Sequence, residues 1–464
     1  MSDQALSKRK ELAALLKFAA PIGVSQMAAI GMGMTDVIVA GNAGTKDLAG
    51  VMIGSNAWQI VAFFFFGIGL ANAPIVGRHF GVLDWKSIRD HLHQSVWLAL
   101  VCGLLTLLFV YLAATYLTLW QLDPEVSLIA TGYMLAVLPG AFSMAVLPLF
   151  RASLESMNEI HFVMKLSIGV FLLNILLDYW FVFGGFGLEP LGGVGCGWAT
   201  SIVFCVQLLI LCWHLIKSPR LAELKLTKIF PRPRWTLIRP TFLLGLPIGL
   251  STLMEIGFFG GMGLRMADIG VIEAGAHAIA INIAAFVFML FISLGHAVTV
   301  RASHALGRGD HALARQIVSL GLLSVIGFAL VSSVATYTLR AYLPGLFNQD
   351  ADVIRLASMY LALAALFQFF DGLQAVAVCS LRAYKDTAVP CGIQFVAFWL
   401  MGLPLGIFLP GTTILGHQIG SEGAWIAFCI ALFTSSIILL SRLYMKVFKT
   451  SSVDKNVPIS NVYE

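Results

Sequence analysis

The sequence predicts an all-α integral membrane protein, with 12 transmembrane helices arranged as two six-helix lobes around a central cavity. Three observations carry this expectation. Hydrophobic residues make up 59% of the 464-residue chain and charged residues only 11%, whereas soluble domains carry about 25% charged residues. Apolar stretches of the length needed to cross a hydrocarbon layer, about 20 residues, recur 12 times along the chain. The second six stretches also repeat the first six. The composition excludes an ordinary soluble protein, a disordered chain, a secreted disulfide scaffold and nucleic-acid binding as a main activity.

The apolar spans run at 14–40, 48–76, 92–116, 127–150, 162–183 and 194–216, and after a polar gap at 241–266, 275–300, 317–339, 353–380, 389–409 and 421–445. Pro21, Pro139, Pro148, Pro247 and Pro404 fall inside them, which neighbouring helices tolerate by satisfying the freed backbone groups. Outer-membrane barrel strands would be half as long and alternating. The expected organisation is a cytoplasmic segment 1–13, an amino-terminal lobe 14–216, a cytoplasmic inter-lobe loop 217–240, a carboxy-terminal lobe 241–445 and a cytoplasmic tail 446–464.

Alternate connections differ sharply in charge. One side holds 25 of the 29 Lys and Arg residues, and the other only Lys46, Arg265, Arg340 and Arg355. Positive loops stay inside, so both termini and the long loop are expected in the cytoplasm, and the net charge of +5 is chiefly a topological signal. The first span is too long for a cleavable signal peptide and carries Asp36.

No connection exceeds 24 residues, the longest being the Lys-, Arg- and Pro-rich stretch 217–240, so no soluble enzymatic domain fits. No Gly-Lys pair occurs, which excludes a phosphate-cradling P-loop and with it direct use of ATP. No His-Glu-x-x-His or paired Cys-x-x-Cys is present; Cys102, Cys196, Cys205, Cys212, Cys379, Cys391 and Cys429 read as small packing residues. His277 and His296 read as satisfied packing histidines, with a proton relay as the alternative. No cofactor is expected.

A shift of 226 residues superposes Pro21-Ile22-Gly23 on Pro247-Ile248-Gly249, Ser25 on Ser251, Gly31 on Gly257, Asn56 on Asn282, Gly69 on Gly295, Gly81 on Gly307 and Asp84 on Asp310. Later in each half, Arg151 meets Arg382 at 231 and Trp198 meets Trp425 at 227. Six spans per copy give both copies one orientation, related by an axis along the membrane normal, and rocking two such lobes gives alternating access.

Four acids escape the repeat. Asp36 faces Met262, Glu255 faces Ala29, and Asp178 and Asp371 meet no carboxylate. A charged residue within a span costs about 2.5 to 3.5 kcal/mol on insertion scales, so a functional reading is the default. Asp268 and Asp352, near span ends, read as wetted by headgroup water. Asp36 lies five residues before Gly41, Asp178 six before Gly184 and Thr200 six after Val194, which puts all three about 8 Å below the outer boundary at 1.5 Å per residue. Asn174 precedes Asp178 by four and shares its helix face. Two carboxylates, an amide oxygen and a hydroxyl form an oxygen-only set suited to a monovalent cation or a proton, with a structural hydrogen-bond cluster as the alternative. Glu255 lies mid-span and Asp371 well inside the tenth span, flanked by Gln368 and Gln374; such acids can exchange a proton for a cation or simply glue helices together. Phe63 to Phe66, Met32, Met34, Met254, Met262 and Met266 are available to line a tolerant pocket or to face lipid.

Ala-Ala-Pro-Ile-Gly at 19–23, Met-Thr-Asp-Val-Ile-Val-Ala-Gly at 34–41, Asn174 to Asp178, Gly-Val-Gly-Cys-Gly-Trp-Ala-Thr at 193–200, Leu-Met-Glu at 253–255 and Phe-Asp-Gly-Leu-Gln at 370–374 together resemble the multidrug and toxic compound extrusion family, in its NorM-like bacterial branch. The resemblance covers essentially the whole chain. It implies a 6+6 helix fold in the bacterial inner membrane, acting as a monomer among membrane lipids, and export of cationic amphiphilic drugs and dyes driven by inward Na⁺ or H⁺. Asp36, Asn174, Asp178 and Thr200 resemble the family's amino-terminal cation site, Glu255 and Asp371 its carboxy-terminal site, and Pro21 a proline at which the first helix bends. Asp36, Glu255, Phe367, Asp371 and Gln374 are the substrate-facing candidates; Phe367 stands where some relatives carry Tyr, so no hydroxyl is offered there. Two other functions stay open. A flippase for a lipid-linked precursor would want a basic cavity, whereas the intramembrane charge is acidic. An intramembrane enzyme would need a paired-acid metal motif or a nucleophile with its base, and neither occurs.

Overall fold

The computed structural model describes residues 3–117, 123–185, 187–226, 231–414 and 417–449. Among the described residues it is chiefly helical, with a two-residue antiparallel pairing of Thr413–Ile414 with His417–Gln418 and an isolated bridge between Gly185 and Leu188. Among the described residues, 12 helical segments are long and apolar enough to cross a membrane, as the composition predicts.

The helices are α1 (Asp3–Ala43), α2 (Thr45–Gly69), α3 (Asn72–Gly81), α4 (Trp85–Leu117), α5 (Pro124–Ser156), α6 (Ile160–Phe183), α7 (Gly193–Lys217), α8 (Trp235–Ile269), α9 (Val271–Gly307), α10 (His311–Leu339), α11 (Ala351–Ala383), α12 (Ala388–Gln394), α13 (Leu403–Phe408) and α14 (Glu422–Leu443). Many outrun the apolar stretches that announce them. The 41 residues of α1 extend about 60 Å at 1.5 Å per residue, twice the hydrocarbon thickness, because helix propensity continues where hydropathy stops. Two spans are interrupted. α2 and α3 make one span broken at Leu70–Ala71, where the Asn72 amide donates to the Leu149 carbonyl of α5. α12 and α13 are joined through a π-helical stretch, Phe395–Gly402.

The chain divides into two compact units, an amino-terminal unit of Phe18–Gly257 and a carboxy-terminal unit of Met1–Lys17 with Phe258–Glu464. Both divisions fall inside helices. In α1 the break lies after Lys17, whose carbonyl loses its helical partner because Pro21 has no N–H.

Inside each unit the repeat is visible as shared turns. Leu83 and Gly309 both adopt positive φ, 56° and 75°, and the next residue caps a helix: Asp84 accepts from the Ser87 amide and Asp310 from the Leu313 amide. Asn158 and Lys385 form a second left-handed pair. Next to them the buried Glu159 meets His214 Nε2 at 3.2 Å, and Asp386 meets Arg442 Nε at 2.8 Å. This turn sets the local register at 227, so the sequence pairing of Arg151 with Arg382 is displaced by one helical turn and Arg382 corresponds to Glu155. The two arginines matched because both lie on the same helix stripe, four residues apart.

The amino-terminal unit packs a core around Val39, Trp58, Tyr133 and Val182 and a second around Leu154, Val163 and Leu211. Its part of α8 crosses α2 at near backbone contact; a Cβ on Gly67 would lie 2.6 Å from Gly249 Cα. The carboxy-terminal unit is built on aromatic packing, with Phe258 stacked on Phe398 at 5.1 Å and edge-on to Phe428 at 5.0 Å. Gly402 has no side chain because the Phe258 ring occupies that space.

Candidate functional site

Three helices of the amino-terminal unit bring the predicted acids together. Asp36 comes from α1, Asn174 and Asp178 from one face of α6, and Thr200 from the second turn of α7. All four are buried, Asn174 and Asp178 completely. Thr200 Oγ1 donates to Asp36 Oδ2 at 3.0 Å, and Asn174 Nδ2 donates to Asp36 Oδ1 at 3.4 Å. The Asp178 carboxyl lies against that of Asp36.

The glycines of 192–197 explain how α7 reaches this point. Gly193 N donates to Asp47 Oδ1, and a Cβ on Gly195 would strike the Phe181 carbonyl carbon at 2.7 Å. α7 therefore starts hard against α2 and α6, and one turn later Cys196 Sγ donates to the Asp36 carbonyl.

Sequence reasoning misses Tyr133 of α5, whose buried phenol also stands beside the Asp36 carboxyl. Gly54 and Gly197 flank it; a Cβ on Gly54 would lie 2.8 Å from Tyr133 Cδ1. The sequence shows only a hydroxyl-bearing aromatic inside an apolar span, and its role becomes visible from the glycines of other helices that face it.

Counting donors against acceptors defines what the cluster can do. Both Asp178 oxygens and Asn174 Oδ1 are buried and, among the described residues, receive no donor hydrogen bond, although buried polar atoms are nearly always satisfied. Carboxylates are acceptors only, so Asp36 and Asp178 can bind each other only through a shared proton or a shared cation. The donor set is all oxygen, which suits Na⁺ or H⁺ and not zinc.

The carboxy-terminal unit is arranged differently. Gln368, Asp371 and Gln374 are buried on α11, and Gln368 Oε1 accepts from Thr336 Oγ1 of α10 at 3.1 Å, a contact with no sequence signal. Phe367 is packed into the aromatic core, 6.1 Å from Trp425 and 6.0 Å from both Phe259 and Phe428. Met262 and Met266 are buried in the same core, while Met34 is exposed. His277 packs edge-on to Trp425 at 5.6 Å. Glu255 is half-buried on α8 and belongs to the amino-terminal unit, three residues before the division, whereas Asp371 lies in the other. Pro21 sits inside α1, and its carbonyl accepts from Ser25 Oγ at 3.1 Å.

Comparison with known proteins agrees with the repeat. The MatE family profile matches residues 21–180 and again 247–408, and the two matches begin 226 residues apart. Multidrug resistance protein MdtK of Pectobacterium atrosepticum is 33% identical over 442 residues, 95% of this chain and 96% of that protein. MdtK of Yersinia enterocolitica is 31% identical over 434 residues, 93% and 95% of the two chains. Among solved structures, the Vibrio cholerae MATE transporter VcmN superposes with TM-score 0.85 at 18% identity, over 96% of this chain and 98% of that one. The eukaryotic MATE transporter AtDTX14 superposes with TM-score 0.84 at 18% identity, over 96% and 99%. At such identity these two likenesses concern the fold.

Proposed function

The chain belongs to the MatE family, and from that premise we propose that it is a cation-coupled multidrug antiporter of the bacterial inner membrane, exporting cationic amphiphilic compounds. It is a transporter and not an enzyme. The observation that carries the reading is the surplus of buried acceptors around Asp36 and Asp178. A site with two adjoining carboxyls and too few donors is completed by one positive charge, and it releases that charge when another competes for the same field.

Facing outward, the cluster takes Na⁺ or H⁺, and neutralising it weakens the hold on a cationic drug. Facing inward, the ion leaves and the drug binds. Thr200 and Asn174 hold the Asp36 carboxylate in place through the hydrogen bonds they donate. Within the amino-terminal unit Glu255 supplies further negative charge, and within the carboxy-terminal unit Asp371 does so, with Gln374 a polar contact on the same helix. Moving one charge down 100 mV supplies about 2.3 kcal/mol, enough for roughly a fortyfold drug gradient per net charge. No ATP and no cofactor enter the cycle.

Asp36→Asn is expected to abolish dye efflux from loaded vesicles while the protein still folds in the membrane. Unchanged efflux would remove Asp36 from the mechanism. The same vesicles under a sodium or a proton gradient distinguish the coupling ion.

A further inference from the structure

The Lys-, Arg- and Pro-rich connection between α7 and α8 has no part in the ion cycle, yet it is built as carefully as a site. The 3₁₀ turn Pro219–Leu224 sinks Leu221 and Leu224 into the core of the amino-terminal unit. Beyond it, three side chains of one face of α4 grip the backbone. His93 Nε2 bonds the Leu226 carbonyl at 3.2 Å, and Trp97 Nε1 donates to the Pro231 carbonyl at 3.1 Å. Gln94 uses both ends of its amide, donating Nε2 to the Arg232 carbonyl and accepting from the Arg234 amide at 2.7 Å. Lys225 is held in a left-handed conformation, φ 48°, uncommon for a residue with a side chain.

This clamp decides where the charge goes. With the apolar side chains and the carbonyls turned inward, Lys217, Lys225, Arg232, Arg234 and Arg239 remain exposed, while Arg220, also exposed, reaches Glu159 Oε1 at 3.7 Å. Apart from Glu223, no acid occurs between Lys217 and Pro240. Directly after the clamp, Trp235 is 63% exposed at the first residue of α8, the position at which a membrane helix carries its interfacial aromatic anchor. Both ends of the connection are ends of helices long and apolar enough to cross a membrane, and basic residues next to such ends face lipid headgroups. A flexible tether would need none of these hydrogen bonds, and a soluble surface would intersperse acids.

We propose that residues 217–226 and 231–239, the anchored flanks of the α7–α8 connection, form a preformed platform for anionic phospholipid headgroups. Five exposed cations, Lys217, Lys225, Arg232, Arg234 and Arg239, carried on the held flanks meet lipid phosphates without the ordering cost that a loose basic loop pays on binding. Each basic residue close to an anionic membrane surface contributes about fivefold in affinity, and the attraction fades within about 8 Å at physiological salt.

The test uses full-length protein reconstituted in an equal mixture of phosphatidylcholine and phosphatidylglycerol, with spin-labelled lipids reporting which species is held at the protein surface. The wild type is expected to prefer phosphatidylglycerol, the preference falling as salt rises. Replacing Lys225, Arg232, Arg234 and Arg239 by Gln is expected to lower it at least tenfold, and exchanging Lys and Arg at these positions to retain it. Neutralising Lys8, Arg9, Lys10 and Arg308, exposed basic residues outside the connection, is expected to leave it intact. Retained preference in the Gln variant, its loss in the control set, no preference in the wild type, or displacement by millimolar inorganic phosphate would each overturn the proposal. Dye efflux is not part of the readout, so the lipid platform and the antiport reading stand or fall separately.

Discussion

In the amino-terminal unit, Asp36, Asn174, Asp178 and Thr200 arrive from three helices at one buried point. In the carboxy-terminal unit, Gln368, Asp371 and Gln374 all come from α11, and the ring of Phe367 one turn away is locked among Trp425, Phe259 and Phe428. The contrast is instructive because the scaffolds match. Asp84 and Asp310 cap equivalent helices, and Glu159–His214 and Asp386–Arg442 are equivalent contacts. Features that both units share hold the fold, whereas the buried acids Asp36, Asp178 and Asp371 have no counterpart in the other unit.

Substituting the two acids separately sharpens this contrast most. Asp178→Asn replaces one carboxylate of the pair that would share the cation by a neutral amide, and efflux is expected to fall about 100-fold or more, a difference of ~2.7 kcal/mol. Asp371→Asn is expected to cost about tenfold, a difference of ~1.4 kcal/mol. Equal losses in vesicle efflux would erase the distinction between the units.

Two glycines provide the next test. A Cβ on Gly54 would press on Tyr133 beside the acid pair, and one on Gly402 would press on Phe258 in the aromatic core, each at 2.8 Å. Overpacking of this kind costs ~1–3 kcal/mol, so both Ala variants are expected to melt earlier. Only Gly54→Ala is expected also to change the concentration of coupling ion that gives half-maximal efflux. A matching change in Gly402→Ala would show that general loosening, not the site, sets that value.

The smallest expected effect is that of Tyr133→Phe, which removes one hydroxyl from the Asp36 surroundings and keeps the ring. Losing one such contact is worth ~1 kcal/mol, about a fivefold shift in the half-maximal ion concentration with the maximal rate retained. No shift would leave the phenol as packing alone.

Much of this was legible in the sequence, for identifiable reasons. The 12 spans are visible because hydropathy marks whatever lies in hydrocarbon, and the acids because a carboxyl stands out against such a background. The convergence of Asp36, Asp178 and Thr200 followed from their equal distance to span ends. Tyr133 and Thr336 were not legible, since a single hydroxyl among apolar residues acquires meaning only from the helix it faces. The division points were also hidden. They lie within α1 and α8, where the contacts of each half, and not a loop, decide which unit it joins. The one-turn displacement of Arg382 from Arg151 shows why register must be taken from backbone turns rather than from matching letters.

The claim that a proton or cation is exchanged at the amino-terminal acid pair is tested most directly by infrared difference spectroscopy of the purified transporter between ion-loaded and ion-free states, read in the carboxyl stretching region. The expected result is a carboxyl band that disappears in Asp178→Asn and in Asp36→Asn and persists in Asp371→Asn. A band that survives in both amino-terminal variants and vanishes with Asp371→Asn would contradict it and move ion exchange to the other unit.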